Sequence, residues 1–108
     1  MSTPQEQIEK EFELAKQARV KGNEGQARVC ARRASGIAIR EYLKREGTHP
    51  GNASAYDLLN LIKNDPLLPS DLKLVADHLT LRVTEEFKLP VDIDLVAEAR
   101  KLCDELLK

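Results

Sequence analysis

Residues 15–34, AKQARVKGNEGQARVCARRA, are the stretch that decides the fold. Two segments rich in alanine and in long polar side chains flank Gly22 and Asn23. Glycine often ends a helix in the left-handed conformation, and asparagine is a favoured N-cap of a following helix. Gln26, three residues after Asn23, is placed to reach back to that cap. Because the connection is so short, we predict two helices packed antiparallel as a hairpin.

Both helices of this hairpin carry apolar stripes. The first is predicted from Pro4 to about Lys21, with Thr3 as its cap and Glu6 completing a capping box. Its residues at helical spacing are Ile8, Phe12, Ala15 and Arg19. The second is predicted to end near Gly47, and its broad small-residue face comprises Ala27, Cys30, Ala31, Ala34, Ile37 and Ala38. Further apolar residues lie outside that face: Val29, Ile39 and Leu43. A helix that is apolar on more than one side is buried on more than one side, so we expect it either to be central or to meet a second subunit.

Three more helices are predicted after a loop at residues 47–53. Their predicted caps are, in order, Ser54 (with Asp57 completing a capping box), Ser70, and either Asp92 or Asp94. The apolar stripes of the last two helices comprise Leu72, Val75, Leu79 and Val83, and then Leu95, Ala99, Leu102 and Leu106. No period-two alternation of useful length is present. We therefore predict an all-α fold, an antiparallel four-helix up-and-down bundle with one additional short helix.

Composition is typical of a single-domain globular protein. The 108 residues are 42% hydrophobic and 32% charged, which predicts one domain over residues 1–108 and excludes a disordered chain. We expect no secretory signal and no membrane contact, because no apolar run is long enough to span a bilayer. Cys30 and Cys103 are expected to be buried, reduced thiols, which favours a cytoplasmic location.

Residues suited to catalysis or cofactor binding are sparse. No Cys or His pair has the spacing of a zinc site, no glycine-rich phosphate loop is present, and no serine lies in an elbow motif. We therefore predict no catalytic residue, no metal and no cofactor. His78 and Arg82, one turn apart on the predicted fourth helix, are the remaining candidates for a polar site.

The formal net charge of −1 conceals an asymmetry along the chain. Residues 1–45 contain ten Lys/Arg and six Asp/Glu, whereas residues 46–108 contain seven and twelve. The candidate patch for an anion or RNA comprises Arg28, Arg32, Arg33 and Arg40, because guanidinium groups match phosphate in charge and shape. Two alternatives stay open: pairing with the acidic later helices of the same chain, and contact with an acidic partner or a twin subunit.

The stretch from Ala15 to Ala34 resembles the opening of HEPN domains, small helical domains in which a first helix ends in Gly-Asn or Gly-Asp and a long alanine-rich helix follows. Ser54–Leu59 resembles the family's short helix after the loop, and Leu89–Pro90 with residues 94–102 resembles its terminal helix. The resemblance implies an antiparallel bundle that often dimerises. Many members of the family are ribonucleases or toxins, or accompany a minimal nucleotidyltransferase.

The ribonuclease members carry an arginine four to six residues before a histidine. Here three residues separate Arg45 from His49, so no catalytic residue is carried over. We therefore expect a non-catalytic interaction module, with a second copy, a nucleotidyltransferase, or a nucleotide or RNA as its partner. The alternative is a diverged ribonuclease or toxin component that uses Arg45, His49, or His78 with Arg82.

Overall fold

The computed structural model describes residues 3–81 and 94–108. It contains α1 (Pro4–Val20), α2 (Glu24–Arg45), α3 (Ala55–Ile62), α4 (Ser70–Leu79) and α5 (Leu95–Leu106). No strand occurs in these two ranges, and the predicted all-α class is confirmed. In the described part of the chain, no helix combines the length and the hydropathy that a membrane crossing requires.

The turn between α1 and α2 forms as predicted. Gly22 adopts a left-handed conformation with φ of +76°, and the Asn23 N–H donates to the Ala18 carbonyl at 2.8 Å. This arrangement satisfies carbonyls that the last turn of α1 leaves unpaired. Gly47, with φ of +82°, follows the end of α2 in the same way. Because only three residues join two long helices that pack along each other, α1 and α2 run in opposite directions.

The capping predictions are mostly confirmed. Side-chain oxygens accept from backbone N–H groups at Thr3, at Asn23, at Ser54 with Asp57 in a full capping box, and at Asp94. Asp92 lies outside the described residues. The expected return contact of Gln26 is wrong, because its side chain donates instead to Cys30 Sγ at 3.8 Å. Cys30 is four residues further on, and this spacing places both side chains on one face of α2.

Ser70 is not a cap, which corrects the prediction for α4. Pro69 occupies the N-cap position with φ of −56° and ψ of 146°, and no side chain caps this helix. The Pro69 carbonyl accepts from the Leu72 and Lys73 N–H groups at 3.0 and 3.1 Å. Since the proline ring already holds an extended entry geometry, the helix begins at Ser70 itself.

The core forms around α2, which packs against α1, α3 and α5. The small-residue face predicted for α2 is buried except for Ile37, which is partly buried, and Ile39 outside that face is buried as well. The larger fully buried side chains of the core come from every helix: Ile8, Ile39, Leu58, Leu59, Ile62, Leu79, Leu95 and Leu102. The expectation of burial on more than one side is therefore met within a single chain.

Two small residues set the distance between α2 and α3. A Cβ added to Gly36 would lie 2.8 Å from the Cβ and 3.0 Å from the Cα of Ala55. Real Cβ atoms essentially never lie 2.8 Å from another atom, and the Ala55 Cβ is fixed to its backbone, so only glycine fits this position at the observed helix spacing. This close approach forms one wall of the cleft described below.

The predicted stripes of the other helices largely form the core. Ile8, Phe12 and Ala15 of α1 are buried, and Ala18 completes the stripe. Arg19 lies at its edge and pairs with Glu24 at 2.8 Å and Asp94 at 2.6 Å. The predicted core residues of α4 and α5 are all buried, except that Val83 lies outside the described residues. Leu89 and Pro90 also lie outside them.

Candidate functional site

The four arginines of the predicted patch lie on two sides of α2. Arg28 and Arg32 are one turn apart, and their charges interact. Arg33 and Arg40, seven residues apart, line a cleft together on another side. The structure therefore does not bring all four guanidinium groups to one surface.

Arg32 is a structural residue in this fold. Its Nε donates to the Leu79 carbonyl at 2.7 Å, and Nη2 lies 3.4 Å from the Leu81 carbonyl. These are carbonyl groups at the C-terminal end of α4, where a helix presents unpaired acceptors and partial negative charge. Burial, and then the nearby charge of Arg28, lower the pKa of Arg32.

Arg40 links α2 to the loop at residues 47–53. Its Nη1 donates to the Gly51 carbonyl, and its Nη2 donates to the Ala53 carbonyl at 2.7 Å. Both terminal nitrogens therefore have partners within the chain, while the side chain still borders two clefts. Arg33, in contrast, is exposed to solvent.

The first of these clefts, which we call the Glu11 cleft, has a volume of about 330 Å³. Its lining residues are Glu11, Arg33, Gly36, Ile37, Arg40, Ala53, Ala55 and Leu58. The second, the Lys44 cleft, has a volume of about 390 Å³ and adjoins it. Its lining residues are Pro4, Gln7, Ile37, Arg40, Glu41 and Lys44. Since Ile37 and Arg40 border both, the two clefts form one continuous surface along the outer side of α2.

Glu11 is a polar residue that the sequence analysis did not single out. Its Oε2 atom is buried, and none of the described residues gives it a hydrogen bond. Buried polar atoms in native proteins nearly always have a partner. Its position, three residues after Ile8 and four before Ala15, matches the spacing of the buried stripe of α1. That spacing was the signal that would have identified it.

His78 belongs to a polar link between α4 and α5. Its Nδ1 lies 2.7 Å from Glu98 Oε2 and 3.0 Å from Oε1, and both side chains are mostly buried. Because a carboxylate accepts hydrogen bonds, Nδ1 is the ring nitrogen that carries a hydrogen and donates it to Glu98, and this contact links the two helices. Arg82, the other residue of this candidate site, lies outside the described residues.

The residues of the ribonuclease alternative occupy the end of α2 and the loop beyond it. Arg45 is the last residue of α2, and its Nε lies 3.5 Å from Glu41 Oε1. His49 is exposed in the loop.

Within residues 3–81 and 94–108, no three His, Cys, Asp or Glu side chains are grouped to hold a metal ion. Cys30 and Cys103 are buried free thiols, as predicted. Burial raises the pKa of Cys103 to about 12, so this thiol stays protonated and is a poor nucleophile at neutral pH.

No protein-family model matches the chain, and no curated protein or solved structure shows significant similarity to it. The clefts of α2 and their charges are therefore the features that indicate a function.

Proposed function

We propose that the protein is a non-catalytic helical binding module that holds a phosphate-bearing ligand, a nucleotide or a segment of RNA, on the outer side of α2. The observation that supports this proposal most strongly is the arrangement of Arg33, Arg40 and Lys44 along two adjoining clefts. These three residues are separated by seven and four positions, which places them on one face of a helix.

The chemistry of this face suits phosphate. Arg33 and Lys44 are exposed, and their charged groups are donors with no acceptor function. Arg40 adds positive charge at the boundary of the two clefts, although its terminal nitrogens already bind carbonyl groups. A phosphate bound here replaces water at two cations and releases counterions, so salt must weaken the binding.

Binding without catalysis is favoured by the residues that line the clefts. The described residues that line the two clefts include no His, Cys, Ser or Tyr side chain that could act as a nucleophile, and Glu11 and Glu41 are the carboxylates among them. His78 lies on α4 and is bound to Glu98, so it is not part of these clefts.

We also propose that four of the helices form the antiparallel arrangement of HEPN domains, with α3 as the additional short helix, and that the protein is cytoplasmic. The central position of α2 supports the arrangement, and the two buried free thiols support the location. Most apolar side chains of α2, which favoured a homodimer in the sequence, are buried within one chain, while Val29, Ile37 and Leu43 are only partly buried. For a homodimer we propose the exposed leucines of α3, α4 and their connection as the contact surface, namely Leu61, Leu67 and Leu74. Light scattering of the purified protein tests this, and a monomer at all accessible concentrations would exclude the homodimer.

The binding proposal is tested by calorimetric titration with nucleoside monophosphates and with a short single-stranded RNA. Replacing Arg33 or Lys44 by alanine should weaken binding by about tenfold, the effect of losing one charged hydrogen bond. Lys16→Ala is the matched control, because Lys16 is an exposed cation on α1 that lines neither cleft.

Two results would contradict the proposal. One is an equal loss of affinity in Lys16→Ala, which would indicate a nonspecific charge effect. The other is an affinity that stays constant between ~50 and ~200 mM salt, because phosphate contacts cannot be insensitive to salt.

A further inference from the structure

The exposed cations at the two ends of the outer side of α2 lie far apart. Arg33 lines only the Glu11 cleft and Lys44 lines only the Lys44 cleft, and neither forms an ion pair among the described residues. Eleven positions separate them within the helix α2, which corresponds to about three turns and about 16 Å along the helix axis. A charged nitrogen binds a phosphate oxygen at about 2.7–2.9 Å, so a ligand must carry two separate phosphates to bind both cations.

The surface between these two cations is continuous and carries a third positive charge. Ile37 and Arg40 border both clefts, so one ligand can extend from Arg33 to Lys44 along the protein surface. The terminal nitrogens of Arg40 donate to carbonyl groups in the loop at residues 47–53, but its charge remains and attracts an anion in either cleft. This arrangement fits a linear chain of negative charges better than one compact anion.

The carboxylates that line the two clefts leave the charges of both end cations unpaired. The Oε1 atom of Glu41 lies 3.5 Å from Arg45 Nε, so the charge of Glu41 already has a partner at the end of α2. The Oε2 atom of Glu11 is buried and does not meet a ligand in the open cleft. Arg33 and Lys44 therefore remain available to an anionic ligand.

The partly apolar surface between the cations favours a single strand over a duplex. Ile37 packs against the core and borders both clefts, and Ala53 is a second partly buried apolar residue at the Glu11 cleft. A duplex keeps its bases paired and stacked inside, whereas a single strand can lay base faces on a protein surface while its phosphates contact cations. The residues that line the clefts include no aromatic side chain for base stacking, so we expect weak binding without preference for one base.

We propose that the outer side of α2 binds a single-stranded oligonucleotide, with one phosphate at Arg33 and another at Lys44. A stacked strand advances about 3.4 Å per nucleotide, so about five nucleotides cover the distance between the two cations, and fewer do so when the strand is extended. This inference rests on the proposed function and names its ligand as a strand that occupies both clefts. A mononucleotide occupies only one cleft at a time and binds more weakly.

The first test measures how affinity depends on the length of the strand. The wild type is titrated in a calorimeter with UMP, diuridylate and hexauridylate, each of which carries a 5′-phosphate. Hexauridylate should bind at least about tenfold more tightly than UMP, because it adds a second charged contact within one molecule. Diuridylate is too short to reach both cations and should resemble UMP. A blunt RNA duplex should bind more weakly than a single strand of the same length.

The second test uses salt to count the phosphate contacts of hexauridylate. Two contacts to a single strand give a plot of log K against log [salt] with a slope of about −1.4, or about −0.7 for each contact. Arg33→Ala and Lys44→Ala should each reduce the slope to about −0.7 and weaken binding by about tenfold. Arg33→Lys and Lys44→Arg keep the charge and should keep the slope. Lys16→Ala, which removes an exposed cation of α1 outside both clefts, is the control and should change neither quantity.

The outcomes separate this inference from the proposed function. Equal affinity for UMP and hexauridylate, with dependence on Arg33, would overturn the inference and leave the binding of a single phosphate group intact. A salt slope that Lys44→Ala does not change, or a duplex that binds as tightly as the single strand, would also overturn it. So would an oligoglutamate of the same charge that binds as tightly as hexauridylate, because the site would then fit an acidic peptide. No binding of any nucleotide or of RNA would refute both proposals.

Discussion

Replacing Gly36 by alanine should destabilise the protein, although alanine is the better helix former. In the interior of a helix this exchange is worth about 1 kcal/mol in favour of alanine. Against it stands the new Cβ, which would lie 2.8 Å from the Cβ and 3.0 Å from the Cα of Ala55. Carbon atoms prefer separations of about 3.5–4.0 Å, so α2 and α3 would have to move apart. Overpacking of this kind costs about 1–3 kcal/mol. We expect a cost near the upper limit, because the Ala55 Cβ and Cα cannot rotate away from the new methyl group.

The expected net loss is about 1–2 kcal/mol, or a Tm lower by about 5–10 °C in a domain of this size. Chemical denaturation followed by circular dichroism measures the free energy of unfolding directly. Gly25→Ala is the matched control in the same helix, because the nearest atom to its added Cβ is 3.8 Å away. It should leave stability unchanged or raise it by about 0.5 kcal/mol. If Gly36→Ala is as stable as Gly25→Ala, the close approach of α2 to Ala55 is not the reason for glycine at this position.

Three further predictions concern single side chains. Arg32→Ala should lower the free energy of unfolding by about 1–3 kcal/mol in chemical denaturation, because the Leu79 carbonyl loses a charged donor; a neutral result would contradict the structural role. The hydrogen bond from Arg19 holds the pKa of Asp94 below its ordinary value. The stabilisation that this contact gives the folded protein is therefore present above about pH 4 and is lost as the pH falls through the folded-state pKa of Asp94. Asp94→Asn should therefore flatten the acid limb of a plot of Tm against pH, and an unchanged limb would disprove the coupling. Cys103 should resist alkylation in the native protein at pH 8 and react after unfolding, as measured by mass spectrometry; rapid native labelling would show that the thiol is accessible.

The hairpin could be predicted because its determinants are local. Gly22 and Asn23 are adjacent residues whose backbone preferences and capping chemistry act within one turn of the chain. The same reasoning identified Ser54 with Asp57 as a complete capping box. The prediction of Ser70 as a cap was wrong, because Pro69 before it occupies the N-cap position of α4.

The candidate site could be predicted only in part, because its residues are selected by tertiary contacts. Arg32 and Arg33 are neighbours in the sequence, yet Arg32 binds the end of α4 and Arg33 is exposed in the Glu11 cleft. Nothing local distinguishes them, since the difference arises from where α4 ends. Glu11 could have been placed on the buried stripe of α1 from its spacing, but the lack of a donor for its buried oxygen depends on tertiary contacts.

The most direct test of the central claim, that the outer clefts of α2 bind a nucleotide, is an NMR titration of the ¹⁵N-labelled protein with GMP. The largest amide shift changes should occur at the residues that line the Glu11 cleft, led by Gly36, Ala53 and Ala55. Amides around His78 and Glu98, on the polar link between α4 and α5, should change little. A spectrum unchanged at millimolar GMP, or changes centred on His78 instead, would contradict the claim.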